Sequence, residues 1–111
     1  MSRQLLQVFD KYQKARREFV QTIADQANRP ENINNLIDSG VLALLRPLLL
    51  DNVPTIQQTA ALALGRLANS SEQIAEQIVS SGILPEIVAG LSSPDNYYKR
   101  NACFVIRTIS R

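Results

Sequence analysis

The sequence predicts an all-α fold, a right-handed superhelix of stacked helical repeats. Apolar residues recur at spacings of three and four along most of the chain, without strand-like alternation. Glycines and prolines fall between these apolar segments, where helices are expected to end and begin. The pattern then recurs with a period of about 42 residues, a length typical of helical solenoids.

The composition places the 111-residue chain among folded proteins of a single domain. Hydrophobic residues make up 45% and charged residues 20%, which is enough apolar surface for a core. Twelve basic and ten acidic residues leave a net charge of +2, too small to indicate nucleic acid or a membrane surface as a partner. No apolar segment approaches the roughly 20 residues of a membrane span, and the first residues lack a signal-peptide core. We therefore expect a soluble, cytoplasmic chain.

The residues available for chemistry are few. Histidine is absent and Cys103 is the single cysteine, which excludes a disulfide framework and a Cys/His zinc site. The usual general base and nucleophilic dyads are missing, and no glycine-rich phosphate loop is present. Four carboxylates lie near predicted helix ends, where capping and turn roles suffice: Asp25, Asp38, Asp51 and Glu72. We expect no catalytic, metal or cofactor site, and no enzyme.

Residues 1–29 are predicted to form one long amphipathic helix, over about residues 2–28. Its apolar stripe contains Leu5, Phe9, Tyr12, Phe19, Ile23 and Ala27. Pro30 ends the helix, because the residue before a proline is disfavoured in the helical region. Lys11, Lys14 and Arg17 share another face and form a candidate basic face for tubulin tails or another acidic protein. A solvated helix face is the alternative interpretation.

Residues 30–81 form the next predicted unit. We expect helices over residues 30–39, 41–50, 54–69 and 71–80. Gly40 is a suitable end for the first of these helices, and Pro54 a suitable first-turn residue for the long one. Pro47 falls inside a short helix and is expected to kink or shorten it. Alanines along the long helix allow neighbouring helices to approach closely.

Residues 82–111 repeat the end of this cycle, with helices over residues 83–91 and 94–110. Gly82 ends the preceding short helix, and Ser93 is the expected N-cap of the last helix, with Pro94 in its first turn. A face containing Val105, Ile106, Ile109 and Cys103 would normally be covered by a following unit. We therefore expect either a longer native protein or self-association through the carboxy-terminal helix.

The shift between the two units determines which of their residues are equivalent. A shift of 42 positions places Gly40 on Gly82 and Ala60 on Ala102. One unit cannot bury its own apolar face, so such units stack; an ordinary bundle with accidental self-similarity is the alternative.

The same register assigns two further residues to packing roles. Tyr98 falls on an apolar position, so core packing explains it better than a nucleic-acid surface formed by residues 97–100. Cys103 falls on Ala61, which predicts a buried structural thiol.

The sequence resembles the armadillo-repeat family. Residues 40–45 (GVLALL), 60–69 (AALALGRLAN) and 82–88 (GILPEIV) carry the resemblance: a glycine, an apolar short helix, and an alanine-rich long helix ending in Leu-Ala-Asn. Residues 6–9, 12–16, 44–51 and 53–69 more specifically resemble the amino-terminal part of the flagellar central-pair armadillo proteins of the sperm-associated antigen type. This resemblance implies a structural scaffold of the axonemal central apparatus, on the cytoskeleton of a flagellum or cilium. It implies a role in motility, with central-pair components and tubulin as candidate partners.

The resemblance also points to a groove. Armadillo proteins bind extended peptides along their long third helices, and the matching residues here are Gln21, Asp25, Asn28, Arg66, Asn69, Thr108 and Arg111. Import receptors hold peptides with a tryptophan and an asparagine, where this chain has Leu62 and Arg66, then Phe104 and Thr108. Because a basic peptide would meet Arg66, an adaptor or transport receptor is the less favoured alternative.

Arg66 is the strongest single candidate for a binding residue. Its planar guanidinium could clamp a partner's carboxylate. We expect it to face the concave surface, so that replacement by glutamate leaves the melting temperature nearly unchanged. The alternatives are an exposed arginine or one tied to a neighbour such as Asp25. For Asn69 the alternative is a helix-terminal residue that bonds the next turn.

Overall fold

The structure is a computed structural model of the chain and describes residues 2–110. In chain order its helices are α1 (Arg3–Gln26), α2 (Pro30–Asp38), α3 (Val41–Leu49), α4 (Pro54–Ser70), α5 (Glu72–Ser80), α6 (Leu84–Ala89) and α7 (Asn96–Ile109). One turn of 3-10 helix, Gly90–Ser92, follows α6. Residues 2–110 contain no strand, so the all-helical prediction is confirmed. The three long helices begin and end within two residues of their predicted bounds.

Local side-chain caps and prolines explain where most helices begin. The Ser2 hydroxyl accepts a hydrogen bond from the Leu5 amide (3.1 Å), and the Ser71 hydroxyl accepts one from the Ile74 amide (3.2 Å). These bonds satisfy amides that have no partner within the helix. Pro30 and Pro54 occupy the first turns of α2 and α4, where the missing amide hydrogen costs nothing.

The start of α7 differs from the prediction. Ser93 is not the N-cap and Pro94 is not in the helix; Asp95 caps α7 instead. The Asp95 carboxylate accepts hydrogen bonds from the amides of Tyr97 (3.0 Å) and Tyr98 (3.2 Å). The Ser93 hydroxyl accepts a hydrogen bond from the Asp95 amide (3.1 Å), so it holds the preceding turn. A carboxylate that serves two amides is a more complete cap than one hydroxyl.

Glycines mark the bends between the short helices, as predicted. Gly40 and Gly82 have φ values of 82° and 79°, a left-handed backbone that side chains with a Cβ rarely adopt. α3 continues through Pro47 and ends two residues later, at Leu49. This position in the last turn leaves few residues after the proline to be disturbed.

The centre of the fold is α4, which packs between α1 and α7. Its Ile56, Leu64 and Leu67 are fully buried, and its alanines permit close contact on both sides. A close approach occurs at Gly65, where a Cβ would lie 2.5 Å from Cδ2 of Phe104. The α4 backbone therefore forms part of the surface on which the Phe104 ring rests.

The prediction for Cys103 is wrong, because its thiol is exposed. The equivalent Ala61 is completely buried, since α4 has a long helix on each side, whereas among the described residues α7 has only one long helix, α4, against it. Ile106 and Ile109 are half-buried, but Val105 is fully buried. Only part of the predicted open face of α7 is therefore uncovered.

Candidate functional site

Two open depressions lie where the carboxy-terminal ends of successive long helices meet the short helices α2 and α5, and they share Asn69. The first has a volume of about 440 Å³ and is lined by Asn28, Arg66 and Asn69 among others. The second has a volume of about 680 Å³ and is lined by Asn69 and Thr108 among others. Four of the seven residues proposed from the sequence therefore line one continuous series of depressions.

The two depressions are related by the internal repeat. Asn28 and Asn69 occupy matching positions at the ends of α1 and α4, and Arg66 matches Thr108. Because the same side-chain positions recur one repeat apart, the depressions form a series across the ends of successive long helices. We call this surface, formed by Asn28, Arg66, Asn69 and Thr108, the groove ladder.

The remaining three candidates lie elsewhere. Gln21 and Asp25 are exposed on α1 and line neither depression. The Gln21 amide donates a hydrogen bond to the Asp25 carboxylate (3.0 Å), a contact one helical turn apart. Arg111 lies outside the described residues.

Arg66 is half-buried and bonded to the backbone of α1. Its Nη1 donates a hydrogen bond to the carbonyl of Ala24 (2.7 Å). At the end of α1, the carbonyls of residues 23, 25 and 26 accept bonds from the amides of residues 27, 28 and 29. The Ala24 carbonyl accepts none of these amide bonds, and α1 has no basic residue in its own last turn. Arg66 therefore supplies a missing C-terminal cap.

The bond from Arg66 to the Ala24 carbonyl distinguishes between the alternatives for Arg66. The side chain is tied to α1, but to a backbone carbonyl and not to the Asp25 carboxylate; no ion pair of Arg66 occurs within residues 2–110. A guanidinium carries five N–H donors, and Arg66 also lines the first depression. Capping of α1 and contact with a groove partner are thus compatible.

Thr108 and Asn69 are the ladder residues that border the second depression. Thr108 is only 5% exposed, and its hydroxyl donates a hydrogen bond to the Phe104 carbonyl (2.8 Å). That bond is internal to α7, so the hydroxyl proton is already used. Asn69 is exposed in the last turn of α4 and borders both depressions.

The charge changes sign along the groove ladder. Among the described residues, the first depression contains the Arg66 cation and no acidic lining residue. The second contains Glu72 and Glu76 and no basic lining residue. An extended partner would match this pattern with an acidic group over the first depression and a basic group over the second.

Lys11, Lys14 and Arg17, the predicted basic face, are all exposed on α1. Lys14 lies 4.0 Å from Glu18, and both side chains are about 70% exposed, so the pair contributes little to stability. The binding role of this face remains a prediction.

Sequence reasoning missed the role of Arg16. Its guanidinium pairs with the Asp51 carboxylate, which is 4% exposed, and lies 4.8 Å from the centre of the Tyr12 ring. Asp51 also accepts a hydrogen bond from the Val53 amide (2.9 Å). The pair fastens the middle of α1 to the turn before α4. A charged residue within the apolar stripe of α1 was the signal that could have revealed it.

A second missed contact joins α3 to the following repeat. Arg46 forms an ion pair with Glu86 (3.1 Å). It also donates hydrogen bonds to the carbonyls of Ser81 (3.3 Å) and Gly82 (3.2 Å) at the end of α5. These carbonyls belong to the group that a helix leaves unsatisfied, so the contact caps α5 and positions α3 at once.

A polar cluster joins α4 to α7 and shifts one pKa. The Gln58 amide donates to the Asp95 carboxylate (2.6 Å), and the Asn101 amide donates to the Gln58 carbonyl (2.9 Å). The hydrogen bond from Gln58 lowers the pKa of Asp95, with smaller contributions from the amides of Tyr98 and Tyr97. Burial, followed by the charge of Glu86, raises the pKa of Tyr98. Tyr98 itself is buried in the core, in line with the packing role expected for it.

The described residues give no indication of a metal site or of a membrane-spanning helix. No group of three or more His, Cys, Asp or Glu side chains there could hold a metal ion. No single helix in that part of the chain is long and apolar enough to cross a membrane; α5 and the segment Leu84–Ser92 reach that length only as a pair bent by 90°.

Comparison with known proteins gives relatives for the sequence. Residues 29–69 match the armadillo/beta-catenin-like repeat. Over 100 residues, the chain is 59% identical to sperm-associated antigen 6 of Mus musculus and 58% identical to that of Homo sapiens. Each alignment covers 90% of this chain but only 20% of the relative.

Solved structures with the same fold include designed repeat proteins. A designed armadillo repeat protein matches with a TM-score of 0.77 and 26% identity, over 84% of this chain and 40% of the other. A computationally designed armadillo repeat protein for modular peptide recognition matches with a TM-score of 0.78 and 25% identity, over 83% and 39%.

Proposed function

The chain belongs to the armadillo-repeat family, and from that premise we propose that it is part of a structural protein-interaction scaffold of the axonemal central apparatus, needed for flagellar motility. The observation that carries the proposal is the 59% identity to sperm-associated antigen 6 over 90% of the chain. At this level of identity the two proteins share a fold over the aligned residues. The proposed partners are central-pair proteins, with tubulin as a further candidate, and no catalytic role is proposed.

The groove ladder is the surface proposed to contact such partners. Asn28, Arg66 and Asn69 line one depression, and Glu72 and Glu76 line the next. Polar groups with alternating charge favour one register of a bound segment over its neighbours, because a shift by one repeat places like charges together. The basic face of Lys11, Lys14 and Arg17 is a second candidate contact, suited to an acidic surface.

Localisation in a flagellated cell tests the proposed function. We expect the tagged protein to remain with axonemes after detergent extraction and to lie on the central pair in immunoelectron microscopy. Its loss should reduce motility while leaving the outer doublets in place. A tagged protein that is removed completely by detergent, or that accumulates in the nucleus, would contradict the axonemal assignment.

An adaptor or transport receptor that binds an extended peptide is the alternative. The acidic residues of the second depression favour it, since they could receive a basic side chain. A peptide array of basic import signals separates the two functions. Weak binding across the array supports the scaffold, because Arg66 repels such peptides in the first depression; tight binding there would favour the transport receptor.

A further inference from the structure

The amino-terminal part of α1 carries an apolar stripe that the fold leaves uncovered. In α1 only Val20, Ile23 and Ala24 are buried. The stripe residues nearer the start of the helix are between 46% and 60% exposed: Leu5, Leu6, Val8, Phe9 and Tyr12. We call these five residues the α1 stripe. Exposed apolar side chains that adjoin one another in this way mark interaction surfaces.

The α1 stripe is continuous with the interface between α1 and α4. Arg16 pairs with Asp51 just before α4, and Arg66 near the end of α4 bonds Ala24. The two helices therefore run in parallel, and residues 3–15 extend beyond the first turn of α4. Projected at roughly 100° per residue, the α1 stripe lies on the same side of the helix as Val20 and Ile23. A further helix placed there would continue the packing that α4 begins.

The charges around the α1 stripe are predominantly basic. Residues 3–18 contain five basic and two acidic side chains, whereas the rest of the chain contains seven basic and eight acidic ones. In the same projection Lys11 flanks one edge of the stripe, and Arg17 and Arg3 flank the other, where Asp10 is the single acidic residue. The net positive charge of the chain is thus concentrated on this helix.

We propose that the α1 stripe docks an amphipathic helix of a partner protein whose own apolar stripe is flanked by aspartate and glutamate. Helix-on-helix packing follows from the continuity with the α1–α4 interface, and the acidic flanks follow from Lys11, Arg17 and Arg3. A second copy of the chain fits less well, because it would bring the same basic groups together. This surface is separate from the groove ladder, so the two proposals fail in different experiments.

A binding assay with synthetic helices tests the proposal on the full chain. The probe is a labelled amphipathic peptide with a leucine stripe flanked by glutamates, and its matched control carries lysines in place of the glutamates. We expect the acidic peptide to bind more tightly than the basic one, and its affinity to fall as salt increases. The Phe9→Asp substitution should weaken binding about tenfold or more, as expected when a central apolar contact is lost.

Control variants distinguish a specific effect of the α1 stripe on binding from general effects of added charge. Gln7→Asp adds the same charge on the opposite side of α1, and Lys99→Glu/Arg100→Glu reverses two exposed charges on α7; neither should lower the affinity more than twofold, a change of only about 0.4 kcal/mol. Lys11→Glu/Arg17→Glu should weaken binding of the acidic peptide and strengthen that of the basic one. Circular dichroism of each variant verifies that α1 remains helical.

Three results would overturn the proposal. The first is equal binding of the two peptides, or binding of neither. The second is a dimer of the chain that Phe9→Asp abolishes, which would assign the stripe to a second copy. The third is binding to phosphatidylserine-containing vesicles but not to the acidic peptide, which would assign the stripe to a lipid surface.

Discussion

Arginine side chains join the successive helices of this protein, and their acceptors differ. Arg16 pairs with a buried carboxylate, Arg46 with a carboxylate and two helix-terminal carbonyls, and Arg66 with one carbonyl at the end of α1. In each contact the planar guanidinium reaches an acceptor on a different helix or turn, where lysine would place a single point charge. These contacts specify how one repeat is positioned on the next.

Replacement of Arg66 by methionine tests its capping role. The apolar stem is kept, but the Ala24 carbonyl loses its donor, so we expect the free energy of unfolding to fall by about 1–2 kcal/mol. This differs from the near-constant melting temperature expected from the sequence, because that expectation assumed no internal bond. Urea denaturation measures the change, with exposed Arg17→Met as the control. Equal stability of the two variants would contradict the capping role.

The lowered pKa of Asp95 predicts a dependence of stability on pH. The folded pKa lies below the ordinary value of 3.8, because hydrogen bonds from Gln58 and two backbone amides favour the ionised carboxylate. The resulting stabilisation is present above that ordinary value and is lost as pH falls through the folded pKa. We expect Asp95→Asn, which can still cap α7, to lose this part of the acid sensitivity.

The pKa of Asp95 can be followed by NMR of its carboxyl carbon. Gln58→Ala removes the largest cause of the shift, so the pKa of Asp95 should rise toward 3.8 in that variant. An unchanged pKa would show that the amide cap, and not Gln58, dominates.

At the scale of elements, α4 and α7 contact each other through close apolar packing as well as through polar side chains. The Phe104 ring lies against the backbone of α4 at Gly65, a contact that requires the absence of a side chain. A glycine inside a helix lowers helix propensity, and here the close packing of two long helices offsets that cost.

The substitution Gly65→Ala tests this contact between helices. Alanine favours a helix by about 1 kcal/mol over glycine, yet its Cβ would lie 2.5 Å from Phe104. We expect a net destabilisation of about 1–3 kcal/mol, because the ring must move out of a packed position. In a Phe104→Ala background the same substitution should be neutral or stabilising. A double-mutant cycle in which the two changes are additive would refute the contact's role.

At the scale of the whole molecule, the two ends of the described solenoid differ in what they expose. At one end the α1 stripe is apolar and basic, and at the other α7 exposes Cys103 beside half-buried Ile106 and Ile109. Internal helix α4 shows how such a face is covered, since Ala61 and Leu64 at the matching positions are fully buried. An uncovered solenoid face favours association.

Self-association through α7 is the prediction at this scale. We expect sedimentation velocity to detect dimers or larger species of the 111-residue chain at micromolar concentration. Cys103→Glu, which places a charge on the exposed face of α7, should shift the equilibrium toward monomer. Gln77→Glu on the exposed side of α5 is the control. A strictly monomeric chain would contradict this role of α7, and an effect of Phe9→Asp alone would assign association to the α1 stripe.

The sequence alone was sufficient for the helices and the repeat, and its resemblance to armadillo proteins pointed to all four residues of the groove ladder. The spacing of apolar residues and the effects of proline and glycine are local properties. Proline and glycine act on their own backbone, and the apolar stripe of a helix is visible in the spacing of its residues. The resemblance implied a groove along the long helices, and the repeat then gave its equivalent positions: Asn28, Arg66, Asn69 and Thr108. The cap of α7 was misassigned, since Ser93 and Asp95 are both capable of capping and only the backbone path decides between them.

The tertiary structure decided which side chains meet across helices. Arg66 bonds a carbonyl, an acceptor that every residue carries and that no sequence pattern marks. Arg16 and Asp51 are 35 positions apart, so their pairing depends on how α1 lies on α4. Cys103 and Ala61 occupy the same repeat position and differ in burial because α4 has a long helix on both sides and α7 on one. A repeat pattern specifies equivalent positions, whereas burial depends on the neighbours that each copy has in three dimensions.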